Sequence, residues 1–263
     1  MLTEPQRDCT DVVLVSPRNP LNIGAAARAM ANFGFSHLTV VAPYEAHWRE
    51  AKSAIGAEDL LQNAKREECL AEAVAECTLV VGTGTLAHRR PEQTVTALPE
   101  LGPRIAQELE QGGRVALIFG PEKRGLTRDD LALCHLLVEI PTHPRQPSMN
   151  LGQAVAVCLY ELAAREFRPV PDENTDENVA QPADSATADA ASAPERNPAC
   201  TRDLDLVAAV VAETMQAANY SPAAMQKVNR HDLNLLLRRL ALTRRDARRI
   251  LGLFRRILWR IQP

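Results

Sequence analysis

The residues best suited to chemistry sit in four short stretches. In LLVEIPTHPRQPSMNLGQAVAVCLYEL (residues 136–162), Pro141, Pro144 and Pro147 separate an apolar run from a longer one that opens with Ser148, Met149 and Asn150. Each proline biases its predecessor away from helical angles, so the loop is stiff and ends at a helix start, with Ser148 or Asn150 as N-cap. Two small polar side chains beside the unpaired N–H groups of a first helical turn are a common construction for holding a small anionic or polar ligand. In GPEKRGL (residues 120–126), Glu122, Lys123 and Arg124 lie between Gly120 and Gly125. NIGAAAR (residues 22–28) reads as an alanine-rich helix with Asn22 as N-cap. Arg28, six residues on, falls short of two turns, so the two side chains do not stack but lean toward the same end of the sheet. An arginine in the second turn opposes the helix dipole, a mild cost that a function or an ion pair would offset.

The fourth stretch, GTGTLA (residues 82–87), matches the glycine fingerprint of dinucleotide folds. That fingerprint requires a long helix after the first strand, whereas here His88, Arg89, Arg90 and Pro91 cut the helix short and the motif follows the third strand. What remains is a glycine loop, Gly82, Thr83, Gly84 and Thr85, able to bring backbone N–H groups close to a ligand.

Alternating elements must position these stretches. Apolar runs at 11–16, 37–41, 77–81, 115–119 and 136–140 read as strands, each followed by a loop and then a helical pattern. The helices are expected at 22–30, at 69–76, at 98–110, from Thr127 with Asp130 completing an acidic capping box, and from Leu151 to Leu162. Residues 44–64 are weakly patterned, with Trp48 and Ile55 as anchors. Strands alternating with helices argue an α/β fold with a largely parallel sheet covered on both faces, in which ligands sit beyond the carboxyl ends of the strands. All four polar loops lie there.

This domain is expected over residues 1–168. Residues 169–200 carry seven acids against one arginine and almost no large apolar side chain, the composition of a disordered acidic linker. Residues 201–263 recover helical pattern at 204–218, around 231–240 and from Thr243, with 12 Lys and Arg against 5 Asp and Glu, a net of +7, while residues 1–200 carry a net of −10. In the last helix Ala247, Ile250, Leu251, Phe254, Ile257, Leu258 and Ile261 form a stripe and arginines fill most of the rest, so one face packs and the other suits a polyanion. The six cysteines are scattered without a C-x-x-C pair, which favours a reducing, cytoplasmic setting and suggests no metal site. No apolar run approaches membrane-spanning length.

Taken in order, NIGxxxR at Asn22 to Arg28, IFGPEKRGL ending at Leu126, and IP at Ile140 leading to SMNL at Ser148 closely resemble the SPOUT methyltransferases of the SpoU/TrmH class, over about residues 11–167. The helical tail is similar to that of bacterial tRNA 2′-O-methyltransferases of this class. The resemblance implies a deep trefoil knot, a homodimer with the active site across the subunit interface, and S-adenosyl-L-methionine as cofactor. By motif the cofactor would be held by Thr83, Gly84, Thr85, Gly120, Ile140, Pro147, Ser148 and Met149. Arg28 would be the catalytic arginine, with Asn22, Glu122, Ser148 and Asn150 completing the site. Where the family pattern has a second small polar residue this chain has Pro147, leaving Ser148 to supply that hydroxyl. Because guanidinium stays protonated near neutral pH, Arg28 either loses its proton with help from an RNA phosphate or stabilises the alkoxide while another group takes the proton. The implied substrate is the ribose of nucleotide 32 in tRNA. A ribosomal RNA methyltransferase and an RNA-binding relative without catalysis are the alternatives.

Overall fold

The computed structural model describes residues 1–84, 91–163, 197–220 and 222–262. In chain order the elements are α1 (Glu4–Asp8), β1 (Thr10–Val15), α2 (Pro20–Phe33), β2 (His37–Val41), α3 (Glu58–Asn63), β3 (Lys65–Glu67), α4 (Leu70–Ala73), β4 (Leu79–Thr83), β5 (Thr94–Ala97), α5 (Leu98–Glu110), β6 (Val115–Phe119), α6 (Arg128–Leu131), β7 (Leu136–Glu139), α7 (Leu151–Ala163), α8 (Thr201–Ala217), α9 (Gln226–Arg239) and α10 (Arg244–Ile261). The strands form one sheet of seven in the order β3-β2-β1-β6-β4-β7-β5, and every pairing is parallel.

A parallel sheet buried on both sides needs strands that are apolar on both faces, and the central ones are. Val12 and Leu14 face a core built with Ile23, Ala27 and Met30 of α2, Leu101 and Ile105 of α5, and Val155 and Leu159 of α7. Val13 and Val15 face the other way, against Leu70, Val74, Leu126 and Cys134. At the amino ends of the central strands, Asp11 of β1 takes a bidentate hydrogen bond from Arg114 just before β6, at 2.6 and 2.5 Å.

Two strands were not expected. The edges β3 and β5 carry Lys65, Arg66, Thr94 and Val95 on exposed backbone, so neither presents the apolar run that marks a buried strand. Both edges are short and β3 is charged, features that discourage pairing with another chain. Strand β4 starts at Leu79 rather than Cys77, and α4 is limited to 70–73. Trp48 is buried, but Ile55 is 65% exposed; Ala54, Ala57 and Leu61 fill that corner instead.

The start of α2 also differs from expectation. Asn19, not Asn22, is the N-cap: its side chain accepts from Leu21 N–H at 3.0 Å, and Pro20 occupies the first helical position, where no N–H is missed. Arg28 therefore lies in the third turn, beyond the main reach of the helix dipole. Helices α2 and α7 pack closely because Gly152 has no side chain, and a Cβ there would come within 2.7 Å of the Ala25 methyl.

Residues 164–196, which include most of the expected linker, lie outside the described residues. Its last four residues are not linker-like: Ala199 and Cys200 are buried, and Pro198 bridges Thr243. Helices α8, α9 and α10 share a core of Leu204, Val207, Ala208, Leu237 and Ala247. That unit docks against the sheet domain at several places, two of them buried. Thr201 donates through N–H and Oγ1 to Cys77 O, both at 2.9 Å, and Arg202 N–H donates to Ala75 O. On α9, the Arg238 side chain is 1% exposed; it donates to Leu133 O at 3.0 Å and pairs with Asp205 of α8 at 3.0 Å. The apolar stripe of α10 packs through its first half only, since Ile257 and Ile261 are more than one-third exposed.

Candidate active site

A cleft of about 250 Å³ opens at the carboxyl ends of β4, β6 and β7. It is formed by the loops that leave these strands. After β6, the chain turns so tightly that a Cβ on Gly120 would collide with the backbone of Gly125 and Leu126, and Gly125 takes φ 62°. After β7, the proline loop crosses the opposite side and delivers Pro147, Ser148 and Met149 to the cleft before α7 begins.

The N-cap of α7 is Asn150, whose Oδ1 accepts from Gly152 N–H at 2.9 Å and Gln153 N–H at 3.4 Å. The helix start therefore does not offer those two groups to an anion, contrary to expectation, because the cap itself has satisfied them. Asn150 Nδ2 donates to Asn22 Oδ1 at 2.9 Å, and Asn22 Nδ2 donates to Glu122 Oε1 at 2.8 Å. Glu122 also accepts from the backbone N–H groups of Arg18 and Asn19. This chain has only one consistent polarity: an ionised carboxylate can only accept, so Asn22 turns its amide nitrogen to Glu122 and its oxygen to Asn150. Burial works against the Glu122 charge, but the hydrogen bonds from Asn22 and from the backbone N–H groups of Glu122 itself, Arg18 and Asn19 outweigh it and hold the carboxyl below its ordinary value.

Of the residues singled out for a cofactor, Thr83, Gly84, Gly120, Ile140, Pro147, Ser148 and Met149 all line this one cleft, and Thr85 lies outside the described residues. Two contribute differently from expectation. Thr83 Oγ1 is committed to Ile118 O at 2.9 Å, and Gly84 N–H is committed to Val138 O at 3.3 Å. A Cβ on Gly84 would meet nothing within 4 Å, so the glycine keeps the mouth open rather than supplying a donor. Ser148 lines the cleft and has no hydrogen-bond partner among the described residues.

Arg28 is not brought to the cleft. Six residues from Asn22 amount to roughly 240° around the axis and about 9 Å along it, so the two point to different sides of α2. Arg28 is exposed and makes no ion pair or hydrogen bond among the described residues. It shares a stripe with Leu21, 53% exposed, beside α7, whose Val157 and Tyr160 are also exposed. Sequence reading missed the anchoring of Glu122 by Arg18 and Asn19, although Asn-Pro at 19–20 is itself a helix-start signal. It also missed Leu126, Leu137 and Leu151 as apolar lining, because each reads equally well as core.

The lining suits a small, partly apolar ligand that also carries polar groups. Backbone and glycine edges face aliphatic Leu126, Leu137, Ile140 and Leu151, while Ser148 and Glu122 provide polar groups at one side. Among the described residues no group of three His, Cys, Asp or Glu side chains is arranged to hold a metal.

The chain belongs to the SpoU rRNA Methylase family, whose pattern it matches over residues 10–160. It is 41% identical over 157 residues to the tRNA (cytidine/uridine/adenosine-2′-O-)-methyltransferase TrmJ of Pseudomonas aeruginosa, covering 57% of this chain and 59% of that one. It is 38% identical over 160 residues to the tRNA (cytidine-2′-O-)-methyltransferase TrmJ of Methanocaldococcus jannaschii, covering 60% and 68%. The match thus spans about three fifths of the first relative's length. Among solved structures, TrmJ from Z. mobilis ZM4 superposes with a TM-score of 0.77 at 27% identity, covering 94% of this chain and 98% of that one.

Proposed function

We propose that this protein is an S-adenosyl-L-methionine-dependent methyltransferase acting on a ribose 2′-hydroxyl in tRNA, at nucleotide 32 of the anticodon loop. The observation that carries the reading is the convergence of the loops after β4, β6 and β7 on one cleft bordered by the Glu122–Asn22–Asn150 hydrogen-bond chain. The tRNA relatives favour tRNA over ribosomal RNA, which the family description keeps as the competing substrate.

When bound, the cofactor supplies an electrophilic methyl group. Gly84, Gly120, Ile140, Pro147 and Met149 would hold its nucleoside part, and Ser148 and Glu122 would fix its polar arm or the incoming ribose. Positioning supplies much of the rate in such a transfer, and a chain of hydrogen bonds that fixes Glu122, Asn22 and Asn150 before any ligand arrives suits that task. Arg28 would act on the 2′-hydroxyl, either as a base or by stabilising the alkoxide.

Because Arg28 lies outside the cleft of its own chain, it would serve the cleft of a second copy. The exposed Leu21, Val157 and Tyr160 around it give such a homodimer an apolar patch to bury. The trefoil knot and a cytoplasmic setting belong to the same reading; among the described residues no helix is long and apolar enough to cross a membrane.

The test pairs calorimetry with S-adenosylhomocysteine and a methylation assay on tRNA with mapping of the modified ribose. Micromolar binding and a 2′-O-methyl group at nucleotide 32 are expected. No binding by folded protein, or methylation of ribosomal RNA alone, overturns the assignment.

A further inference from the structure

A second cleft, of about 470 Å³, lies between the sheet domain and α9. Arg124, Gly125, Leu126 and Leu131 form a wall common to this cleft and the first, so the two are separated only by the loop after β6. Its far wall is α9, through His231 and Leu235.

Its charged lining is Glu92, Arg124 and Arg128. Arg128 Nε donates to His231 Nε2 at 3.2 Å, which holds the guanidinium and requires the imidazole proton to sit on Nδ1. The acids nearest in sequence are engaged elsewhere: Asp130 closes the capping box with Thr127, and Asp129 pairs with Lys227 at 3.8 Å. Among the described residues Arg128 has no carboxylate partner and Glu92 is the one acid that lines this cleft. A guanidinium held at Nε with its terminal nitrogens uncommitted is preorganised for a planar, bidentate contact with a phosphate.

We infer that this cleft receives the phosphate of a nucleotide next to the methylated ribose, bound by Arg128 in an orientation set by His231. The inference rests on the proposed RNA methyltransferase function and adds to it a role for the tail. Helix α9, fixed to the sheet domain by the buried Arg238, is then a wall of the substrate site and not merely a carrier for α10.

The test compares Arg128→Ala and His231→Ala in the full chain, both at positions outside the cores. Arg128→Ala should raise KM for tRNA about tenfold, the cost of one charged hydrogen-bonding contact. It should also lower the log-log salt slope of tRNA binding by about 0.7 to 0.9. S-adenosylhomocysteine affinity should stay within about twofold of the parent, since the variant leaves the first cleft's lining intact. His231→Ala keeps the guanidinium but frees it, and should raise KM by a clearly smaller factor with the salt slope unchanged. If the two variants raise KM equally with no change in slope, the contact is only a seam between domains and the inference fails. An active parent with Arg128→Ala unaltered overturns the inference alone; a parent that methylates no RNA overturns it together with the proposed function.

Discussion

The first cleft and the last helix both gather polar side chains, in opposite ways. Around the cleft, Asn22 is joined to Glu122 and Asn150, which lie 100 and 128 residues further along the chain, in one continuous hydrogen-bond chain. On α10, Arg245, Arg248, Arg255, Arg256 and Arg260 come from one helix and make no ion pair among the described residues, while Arg244 pairs with Asp203 and Arg249 with Asp246. On the proposed function, the contrast would separate two kinds of work. Groups that must fix a reacting atom are locked before the ligand arrives, because misplacement is costly. Groups that grip a phosphate backbone gain from remaining solvated and adjustable, since they position the nucleic acid without reading it.

Arg28 strains this division most, because it is solvated like the arginines of α10 and yet is assigned to the chemistry. Arg28→Ala should lower methyl transfer by about 10²–10³-fold, the scale of losing a donor aimed at developing charge. S-adenosylhomocysteine affinity, measured by calorimetry, should stay nearly intact. Arg28→Lys should rescue poorly, because an ammonium cannot reproduce the planar fork. Substantial activity in Arg28→Ala would assign the chemistry to the locked cluster alone.

The adjustable half is tested by changing Arg245, Arg248, Arg255 and Arg256 to Gln together. Binding of tRNA, followed by titration at several salt concentrations, should weaken about 10- to 100-fold, with a slope shallower by roughly 0.7 to 0.9 for each lost contact. S-adenosylhomocysteine should bind as before. An unchanged slope would mean that these arginines are merely solvated.

A smaller effect concerns the locked half under acid. His135, at the start of β7, accepts from Val80 N–H at 3.0 Å. Desolvation of its imidazole, followed by the charges of Arg238 and Arg104, pushes its pKa down to about 3. The unfolded chain then binds the proton more readily, so the stabilisation is complete above the unfolded value of about 6.5 and is lost as pH falls toward 3. Urea midpoints should therefore decline between about pH 6.5 and 5, before carboxylates titrate. His135→Asn, which keeps an acceptor near the Nδ1 position, should flatten that decline.

What was legible in the sequence followed from burial. The five strands read from apolar runs are present because a parallel sheet covered on both sides must be written in Val, Leu and Ile. The edges β3 and β5 were not legible, since an exposed strand has no such signature. In the site, the loops were visible from prolines and glycines, but the bonds across them were not. Asn22 reads as a cap in one dimension and becomes the link between Glu122 and Asn150 only once α2 lies beside α7. That Asn22 and Arg28 do not stack was legible from their spacing of six residues; that the helix starts at Pro20 and leaves Arg28 outside the lining of the cleft was not.

Two of the contacts between the helical tail and the sheet domain, both buried, have a geometric consequence. Thr201 on Cys77 and Arg238 on Leu133 are directional polar contacts made in protein interior, and such contacts select one orientation more than they add stability. Two of them, on different helices, fix an angle as well as a position. The reach from the arginine face of α10 to the mouth of the first cleft is thus a fixed length, like the span of a caliper. It is set by these bonds and not by how many residues the chain spends between 164 and 196.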